Sequence, residues 1–281
     1  MLSQATASAN RIAEVLAQPD EEAAGGAKRM ESRACVVFDD VCFSYAQLAR
    51  GYVLEDISFA VGKGETLGVI GATGSGKTTL IQLLQRFYPV DAGAIYIGGE
   101  NIACMEEEKL HSLFGVAFQS DAFFSGTIYE NIDLGRGLPK EDIERAARCA
   151  QAEEFILATE EGYEHPVHAK AANLSGGQKQ RLLIARALAG NPEILILDDS
   201  SSALDYRTDA AMRSVIRKEY PNTTIIMVAQ RVSSVRSADQ ILVLDEGRAA
   251  GTGTHEELML TCPLYAQISD IQMGGDDHAA A

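Results

Sequence analysis

Short apolar runs alternate with amphipathic stretches along most of the chain, and this pattern predicts an α/β fold. Runs 66–70, 194–197 and 223–228 are apolar throughout, which is typical of strands buried on both faces of a parallel sheet. Strand follows strand before residue 61, so an antiparallel sheet is expected to flank the parallel one. The predicted strands are 35–38, 57–61, 66–70, 94–97, 115–118, 194–197, 223–228 and 241–244. The predicted helices are 78–86, 106–114, 140–150, 177–188, 207–219 and 255–261.

The N-terminal region has a different pattern from the rest of the chain. Residues 1–17 are rich in small residues and predict a helix, and residues 18–34, which contain Pro19 and two adjacent glycines, predict a linker. The folded domain is predicted over 35–271, and residues 272–281 are expected to form a flexible tail. The apolar stretches are far shorter than the ~20 residues that a membrane-spanning helix needs.

Composition and charge narrow the possible functions. The chain has 281 residues, with 24 Lys and Arg against 40 Asp and Glu, which gives a formal net charge of −16. This excess of acid argues against a nucleic-acid partner, because phosphate contacts need clustered Lys and Arg. The five cysteines are scattered without a Cys-x-x-Cys pair, which argues against a zinc site and favours a reducing compartment.

A glycine-rich segment directly follows the apolar run 66–70. Residues 71–79 read Gly-Ala-Thr-Gly-Ser-Gly-Lys-Thr-Thr and open a predicted helix, which is the context that the phosphate-binding loop G-x-x-x-x-G-K-[ST] requires. Glycines let backbone N–H groups converge on phosphate oxygens, and the helix N-terminus adds positive potential. We expect Lys77 to contact the β- and γ-phosphates and the Thr78 hydroxyl to ligate Mg²⁺. The simpler alternative, a glycine turn, leaves the agreement of motif and context unexplained. The predicted ATP-binding residues here are Gly71, Thr73, Gly74, Ser75, Gly76, Lys77, Thr78 and Thr79.

A pair of carboxylates ends the apolar run 194–197. Asp198 is suited to hold Mg²⁺ through water opposite Thr78, and Asp199 is expected to point towards the γ-phosphate. Taken alone, the pair would be interpreted as a solvated acidic turn. The phosphate-binding loop upstream favours the nucleotide site instead.

Residues 174–178, Leu-Ser-Gly-Gly-Gln, resemble the signature motif of the ATP-binding cassette (ABC) family. A serine-capped helix with glycines in its first turn is the simpler alternative. The resemblance implies that Ser175, Gly176, Gly177 and Gln178 contact the γ-phosphate of ATP held on a second cassette. ATP would then be sandwiched between two cassettes, and its binding would close the dimer.

Further motifs carry the same resemblance from about residue 36 to residue 271. It implies that Tyr45 stacks on adenine, that Gln119 touches Mg²⁺ as a catalytic residue and faces a transmembrane partner, and that the loop ending at Asp205 crosses the dimer interface. The implied fold is a mostly parallel sheet of the P-loop NTPase type, with a flanking antiparallel β-subdomain. A helical subdomain at about 120–190 would carry the signature motif.

The exporter branch of the family is the one that the chain resembles. Residues 123–132, Phe-Phe-Ser-Gly-Thr-Ile-Tyr-Glu-Asn-Ile, and the segment 255–268 are similar to that branch. Residues 7–16 resemble the end of its last membrane helix, which implies a transmembrane domain as partner and a location at the cytoplasmic face of a membrane. The implied function is ATP-driven dimerisation that powers transport. The alternatives are a soluble ABC-type ATPase and a regulatory ATP binder uncoupled from transport.

Three departures from the family pattern affect the catalytic residues and the coupling segment. Asp199 stands where a catalytic glutamate is usual, and Gln230 stands where a histidine is usual. A shorter carboxylate and an uncharged amide both weaken hydrolysis while sparing ATP binding. The pairing resembles the slow site of an asymmetric exporter, so a heterodimer is favoured over a homodimer, with the signature completing the partner's site. Residues 164–171 also lack the Val-Gly-Glu stretch that is usual before the signature, which affects the expected coupling to the membrane domain.

Overall fold

The computed structural model describes residues 6, 8–13, 17, 34–45, 51–118, 122–199 and 205–273. The strands are β1 (Ala34–Phe43), β2 (Leu54–Gly62), β3 (Thr66–Gly71), β4 (Ala92–Ile97), β5 (Glu100–Asn101), β6 (Phe114–Ala117), β7 (Gly126–Thr127), β8 (Pro166–Val167), β9 (Ile194–Asp198), β10 (Thr224–Ala229), β11 (Gln240–Asp245) and β12 (Arg248–Gly253). The helices are α1 (Lys77–Leu84), α2 (Glu107–Ser112), α3 (Ile128–Asp133), α4 (Lys140–Cys149), α5 (Glu153–Leu157), α6 (Gly176–Ala189), α7 (Tyr206–Glu219), α8 (Val232–Val235), α9 (His255–Thr261) and α10 (Pro263–Met273).

A six-stranded sheet in the order β12-β11-β3-β10-β9-β6 forms the centre of the fold. The pairs from β11 to β6 are all parallel, and only β12 joins in the antiparallel sense. Every residue of β3 and β10 is buried, as the uninterrupted apolar runs predict for strands covered on both faces. The predicted parallel sheet is therefore confirmed.

A second, antiparallel sheet in the order β2-β1-β4-β5 lies beside the first. A single hydrophobic cluster joins residues of β1 and β2 to residues of β3, β9 and β10 and to α1. Five of the eight residues of α1 are buried, because this helix lies within that cluster. The expected antiparallel flank is confirmed, and the core fixes it against the strand that precedes the glycine-rich loop.

The region 122–190 is mostly helical, as predicted for the helical subdomain. It contains α3 to α6 and the two-stranded sheet β7-β8, and its buried side chains belong to a separate hydrophobic cluster. Within it, the buried guanidinium of Arg186 donates hydrogen bonds to the carbonyl oxygens of Asn131 and Ala122, at 2.8 and 2.9 Å. These bonds tie α6 to α3 and to the segment that follows β6.

Several boundaries differ from those that the sequence predicts. The helix expected over 106–114 ends at Ser112, and Phe114 already belongs to β6. Strand β1 begins at Ala34, the last residue of the predicted linker, because this residue pairs with Gly62 of β2. Helix α10 ends at Met273, so its last two residues fall within the stretch 272–281 that the sequence predicts as a tail. Residues 18–33 and 274–281 lie outside the described residues.

Two C-terminal elements, β12 and α10, were not among the predicted elements. Strand β12 reads Arg-Ala-Ala-Gly-Thr-Gly and has no apolar run, so its pairing with β11 rather than its own sequence defines it. At the N-terminus, residues 8–13 are helical, in agreement with part of the predicted helix 1–17. Among the described residues, no helix is both long enough and apolar enough to cross a membrane.

We expect the central sheet to be sensitive to loss of volume at β10. Ile226 is fully buried, so Ile226→Ala should lower the free energy of unfolding by about 3 kcal/mol through lost burial and the cavity left behind. Leu260 of α9 is 89% exposed, and Leu260→Ala should change it by less than about 0.5 kcal/mol. Urea unfolding followed by circular dichroism measures both; similar shifts in the two variants would contradict the packing described.

Candidate functional site

The carboxyl ends of β3, β10 and β9 meet at one open cavity. Its volume is about 390 Å³, and it is lined by Val53 and by residues of segments 73–79, 198–199 and 228–230. The glycine-rich loop, the carboxylate pair and Gln230 are far apart in sequence but are brought together here. The structure therefore assembles residues of three predicted motifs in a single site.

The glycine-rich loop is packed too closely to accept side chains at two of its glycines. A Cβ at Gly71 would lie 2.2 Å from the carbonyl oxygen of Leu244 and 2.6 Å from the Oγ of Ser75. Gly76, the N-cap of α1, has φ 102°, and a Cβ there would lie 2.5 Å from the Cδ2 of Leu54. The loop can therefore bring its backbone close to a ligand only with glycine at these positions.

The side chain of Lys77 folds back onto the glycine-rich loop. Its Nζ donates hydrogen bonds to the carbonyl oxygens of Gly71 and Ala72, at 2.8 and 2.7 Å. Burial lowers the pKa of Lys77, and the negative charges of Asp198 and Asp199 oppose that shift. The ammonium group thus stands between the loop and the carboxylate pair, where it would meet an anionic ligand.

The two carboxylates differ in their surroundings. Asp198 ends β9, and burial together with the neighbouring charge of Asp199 raises its pKa, while Lys77 opposes the shift. Asp199 follows in the left-handed region with φ 46°, and its backbone N–H donates to the carbonyl oxygen of Val228 at 2.9 Å. Burial also raises the pKa of Asp199, against the attraction of Arg231 and Lys77. Two partly buried carboxylates side by side favour the approach of a cation.

Gln230 contacts the second carboxylate directly. It follows β10, is exposed, and donates a hydrogen bond from Nε2 to Oδ2 of Asp199 at 3.1 Å. Two of the three positions at which the sequence is predicted to depart from the family pattern are therefore in contact.

The residues present fit a nucleotide with its magnesium ion. Thr78 and Asp198 line the same cavity and supply hydroxyl and carboxylate oxygens, the ligands that Mg²⁺ prefers. Ser75 is 3% exposed, and its Oγ has no hydrogen-bond partner among the described residues, so this buried hydroxyl is available to a ligand of the loop. Gln119, which was predicted to touch the ion, lies outside the described residues.

The signature residues do not line this cavity. Ser175 is the N-cap of α6 and forms a capping box with Gln178, in which the Ser175 Oγ accepts from the Gln178 N–H and the Gln178 Oε1 accepts from the Ser175 N–H. Ser175 and Gly176 are exposed to solvent, and Gly177 is half-buried. This helix N-terminus is thus an exposed potential anion site of its own.

The interface loop predicted to end at Asp205 is described only at its last residue. Asp205 caps α7, and its carboxylate accepts hydrogen bonds from the N–H and the Oγ1 of Thr208, at 3.0 and 2.7 Å. These bonds lower the pKa of Asp205. Residues 202–204 lie outside the described part of the chain.

Tyr45, the predicted adenine contact, lies in a turn directly after β1 and is 52% exposed. Its hydroxyl donates to Oε1 of Gln82 at 2.7 Å and lies 3.0 Å from the Oγ1 of Thr79, so the ring is tied to α1. Tyr88 packs edge-on against it, with ring centroids 5.1 Å apart. Sequence reasoning missed Gln82 and Tyr88; the three-residue spacing of Gln82 from Thr79 on one helix face was the available signal.

Known proteins resemble this chain over nearly its whole length. A family profile described as ABC transporter matches residues 54–202. The chain is 40% identical over 275 residues to the uncharacterized ABC transporter ATP-binding protein YfiB of Bacillus subtilis (strain 168), covering 98% of this chain and 48% of that protein. It is 38% identical over 274 residues to the probable multidrug resistance ABC transporter ATP-binding/permease protein YheH of the same organism, covering 97% of this chain and 40% of that protein.

A solved structure described as a bacterial Atm1-family ABC exporter with ATP bound has the same fold. It superimposes with a TM-score of 0.85 and 34% sequence identity, covering 94% of this chain and 46% of that chain. The chain thus spans less than half the length of each of these relatives. The family profile spans the glycine-rich loop, the signature and the carboxylate pair, and the comparisons confirm the resemblance and the fold class that the motifs predict. The chain therefore belongs to the ABC transporter family.

Proposed function

We propose that this chain is the ATP-binding domain of an exporter, which works as one of two cassettes at the cytoplasmic face of a membrane. The observation that carries the proposal is the cavity in which Lys77, Thr78 and Asp198 converge. The exporter in particular is supported by the relatives, one of which is described as an ATP-binding/permease protein and another as an exporter with ATP bound. The substrate that such a transporter moves is contacted by its membrane segments.

The residues of the cavity bind and orient the triphosphate of ATP. The loop amides and the Lys77 ammonium hold the phosphate oxygens, and Tyr45 offers an aromatic face to the base. Thr78 and, through water, Asp198 hold magnesium, which when bound neutralises phosphate charge and so favours attack on the γ-phosphate. Asp199 then faces the attacking water, and Gln119 is proposed to complete the ion's surroundings.

Hydrolysis at this chain's own site is proposed to be slow. Asp199 is one methylene shorter than glutamate, which draws the carboxylate back by ~1 Å and can lower the rate by about 100-fold. The Gln230 amide carries no charge to place against the γ-phosphate, unlike a protonated imidazole. Its hydrogen bond to Asp199 Oδ2 also occupies an acceptor that a general base needs for water.

A second cassette is proposed to complete each site. Ser175 and Gly176 are exposed at the N-terminus of α6 and do not line the chain's own cavity, so the positive end of this helix can face a partner's ATP. A homodimer would hold two slow sites. A heterodimer with a partner that retains glutamate and histidine would hold one fast site, completed by this chain's signature.

A groove beside the helical subdomain is proposed to receive the transmembrane partner. It encloses about 270 Å³ between β6 and α6, and Phe124 and Leu134 line it with 60% and 43% of their surface exposed. The exposed Arg136 lines it as well, so apolar surface and a cationic side chain lie side by side for one docking segment. The occupant we propose is a cytoplasmic segment of the membrane domain, since YheH is described as both ATP-binding and permease and is more than twice as long as the match.

Restoring the usual residues should activate the site. We expect Asp199→Glu combined with Gln230→His to raise ATP turnover on the order of 10- to 100-fold, because the longer carboxylate reaches the water and the imidazole can carry charge. Phosphate release is measured alone and with a cassette that has glutamate and histidine at these positions. Adding Lys77→Ala should abolish the gain. Brisk turnover by the unmodified chain alone, or no gain in the double variant, would contradict the proposal.

In the absence of a ligand, Asp198 at the proposed magnesium site should lower the stability of the folded protein. Burial raises the pKa of Asp198 in the folded protein. At any pH above the usual pKa of an aspartate, about 4, the ionised carboxylate therefore destabilises the folded state. Asp198→Asn should therefore melt at a higher temperature than the unmodified protein at pH 7.5, and the difference should shrink as pH is lowered towards 4. With MgATP present the order should reverse, because the carboxylate is needed for the ion.

Thermal unfolding with and without MgATP across this pH range tests the magnesium site. Asp245→Asn, at the exposed end of strand β11 in the same sheet, is the matched control and should show neither effect. If MgATP stabilises the Asp198→Asn variant as much as the unmodified protein, Asp198 is not part of the site.

The groove should be needed for the membrane partner and not for ATP. We expect Phe124→Asp to reduce co-purification with an affinity-tagged membrane domain by at least about tenfold, because it places a charge on the apolar wall of the groove. Leu157→Asp changes an equally exposed apolar residue, 63% exposed, outside the groove and should leave co-purification intact. ATP binding should be unchanged in both; equal losses in both variants would show that the groove has no special role.

A further inference from the structure

One glutamine near the end of α10 holds the backbone on both sides of Arg231. Gln272 donates from Nε2 to the carbonyl oxygen of Gln230 at 2.9 Å, and its Oε1 accepts the N–H of Val232 at 2.8 Å. Both polar atoms of this side-chain amide thus form hydrogen bonds with the backbone of residues 230–232, here called the switch segment. The partner residues lie 40 and 42 positions away in the sequence.

The hydrogen bond from the Val232 N–H to Gln272 caps the N-terminus of α8. This helix has only four residues, and its N-cap, Arg231, makes no side-chain capping bond. The N–H of Val232 would otherwise be an unsatisfied donor at a helix start, which is unfavourable when it is shielded from water. Gln272 supplies the missing acceptor from another helix.

Helix α10, which carries Gln272, is anchored in the hydrophobic core. Tyr265 of α10 is fully buried in a hydrophobic cluster that also contains Val232 and Val235 of α8. Its hydroxyl lies 2.9 Å from the Nδ1 of His255, the first residue of α9. The backbone that carries Gln272 is therefore fixed to the element that Gln272 caps.

The switch segment begins with the residue that contacts Asp199. The side chain of Gln230 reaches Oδ2 of Asp199, and its carbonyl oxygen is held by Gln272. We infer that Gln272 is a positioning residue, which fixes the backbone of the switch segment so that side chain 230 is held at the γ-phosphate side of the site. This inference rests on the proposed function, since it takes residue 230 to act on bound ATP.

The first test measures the contact without any hydrolysis. In Gln272→Met, which keeps the length of the side chain but removes both hydrogen bonds, we expect the Val232 amide to exchange at least ~5-fold faster in NMR hydrogen-exchange experiments. The side-chain amide of Gln230 should become more mobile, with a lower order parameter. Gln267→Met changes an exposed glutamine of the same helix and is the control. Equal Val232 exchange in the two variants would overturn the inference.

A second variant separates the two hydrogen bonds. Gln272→Glu keeps an acceptor for the Val232 N–H but has no donor for the Gln230 carbonyl oxygen. Val232 should then stay protected while the side chain of residue 230 loosens. Protection of Val232 lost as fully as in Gln272→Met would contradict a direct hydrogen bond.

The last test asks whether positioning matters to the reaction. In the Asp199→Glu, Gln230→His background, adding Gln272→Met should lower kcat roughly tenfold and leave KM for ATP within about twofold, because loop and ion contacts are untouched. An unchanged kcat, or an equal loss with Gln267→Met, would overturn the positioning role. Failure of the background itself to gain activity would count against the proposed slow site alone, since the exchange measurements judge the Gln272 contact independently.

Discussion

The site depends on one constraint, which is that β3, β10 and β9 are adjacent, parallel and in fixed register. Val228 of β10 pairs with Val69 on one side and with Asp198 on the other, so the three strands reach the same edge together. Parallel strands place their carboxyl ends at one edge of a sheet, and ligands of open α/β sheets bind outside that edge. A slip of one residue in β10 would exchange its side chains between the two buried faces of the sheet and displace Gln230 from Asp199. The packing that buries these strands therefore also sets the relative positions of the residues in the site.

Much of this arrangement follows from local patterns in the sequence. The apolar runs identify the central strands because burial on both faces leaves no polar positions, and the glycine-rich loop identifies its own place between strand and helix. Strand β12 escaped prediction because its small residues carry no periodic signal, and α10 because little in its sequence fixes where it ends. The role of Gln272 depends on two helices that meet only in the folded chain, and no spacing in the sequence reports such a meeting.

Asp199 and Gln230 form one connected unit of the site. Gln230 donates to Asp199, and the backbone N–H of Asp199 is held by Val228, two residues before Gln230. Neighbouring strands therefore connect the pair through both side chain and backbone. Mutations at residues in direct contact do not have additive effects, so the contributions of Asp199 and Gln230 to the site have to be considered together. Arg231, whose charge also acts on Asp199, belongs to the same local balance.

Helix α6 has a mechanical consequence. Its first turn presents the exposed Ser175 and Gly176, while Arg186 and Ala187 in its last turn line the groove between α6 and β6. An α-helix of 14 residues is a stiff rod about 21 Å long. Its far end is seated closely, because a Cβ at Gly115 of β6 would lie 2.1 Å from the carbonyl oxygen of Ala187. A displacement of this end at the groove would therefore tilt the helix as a whole and move Ser175 and Gly176 at its other end.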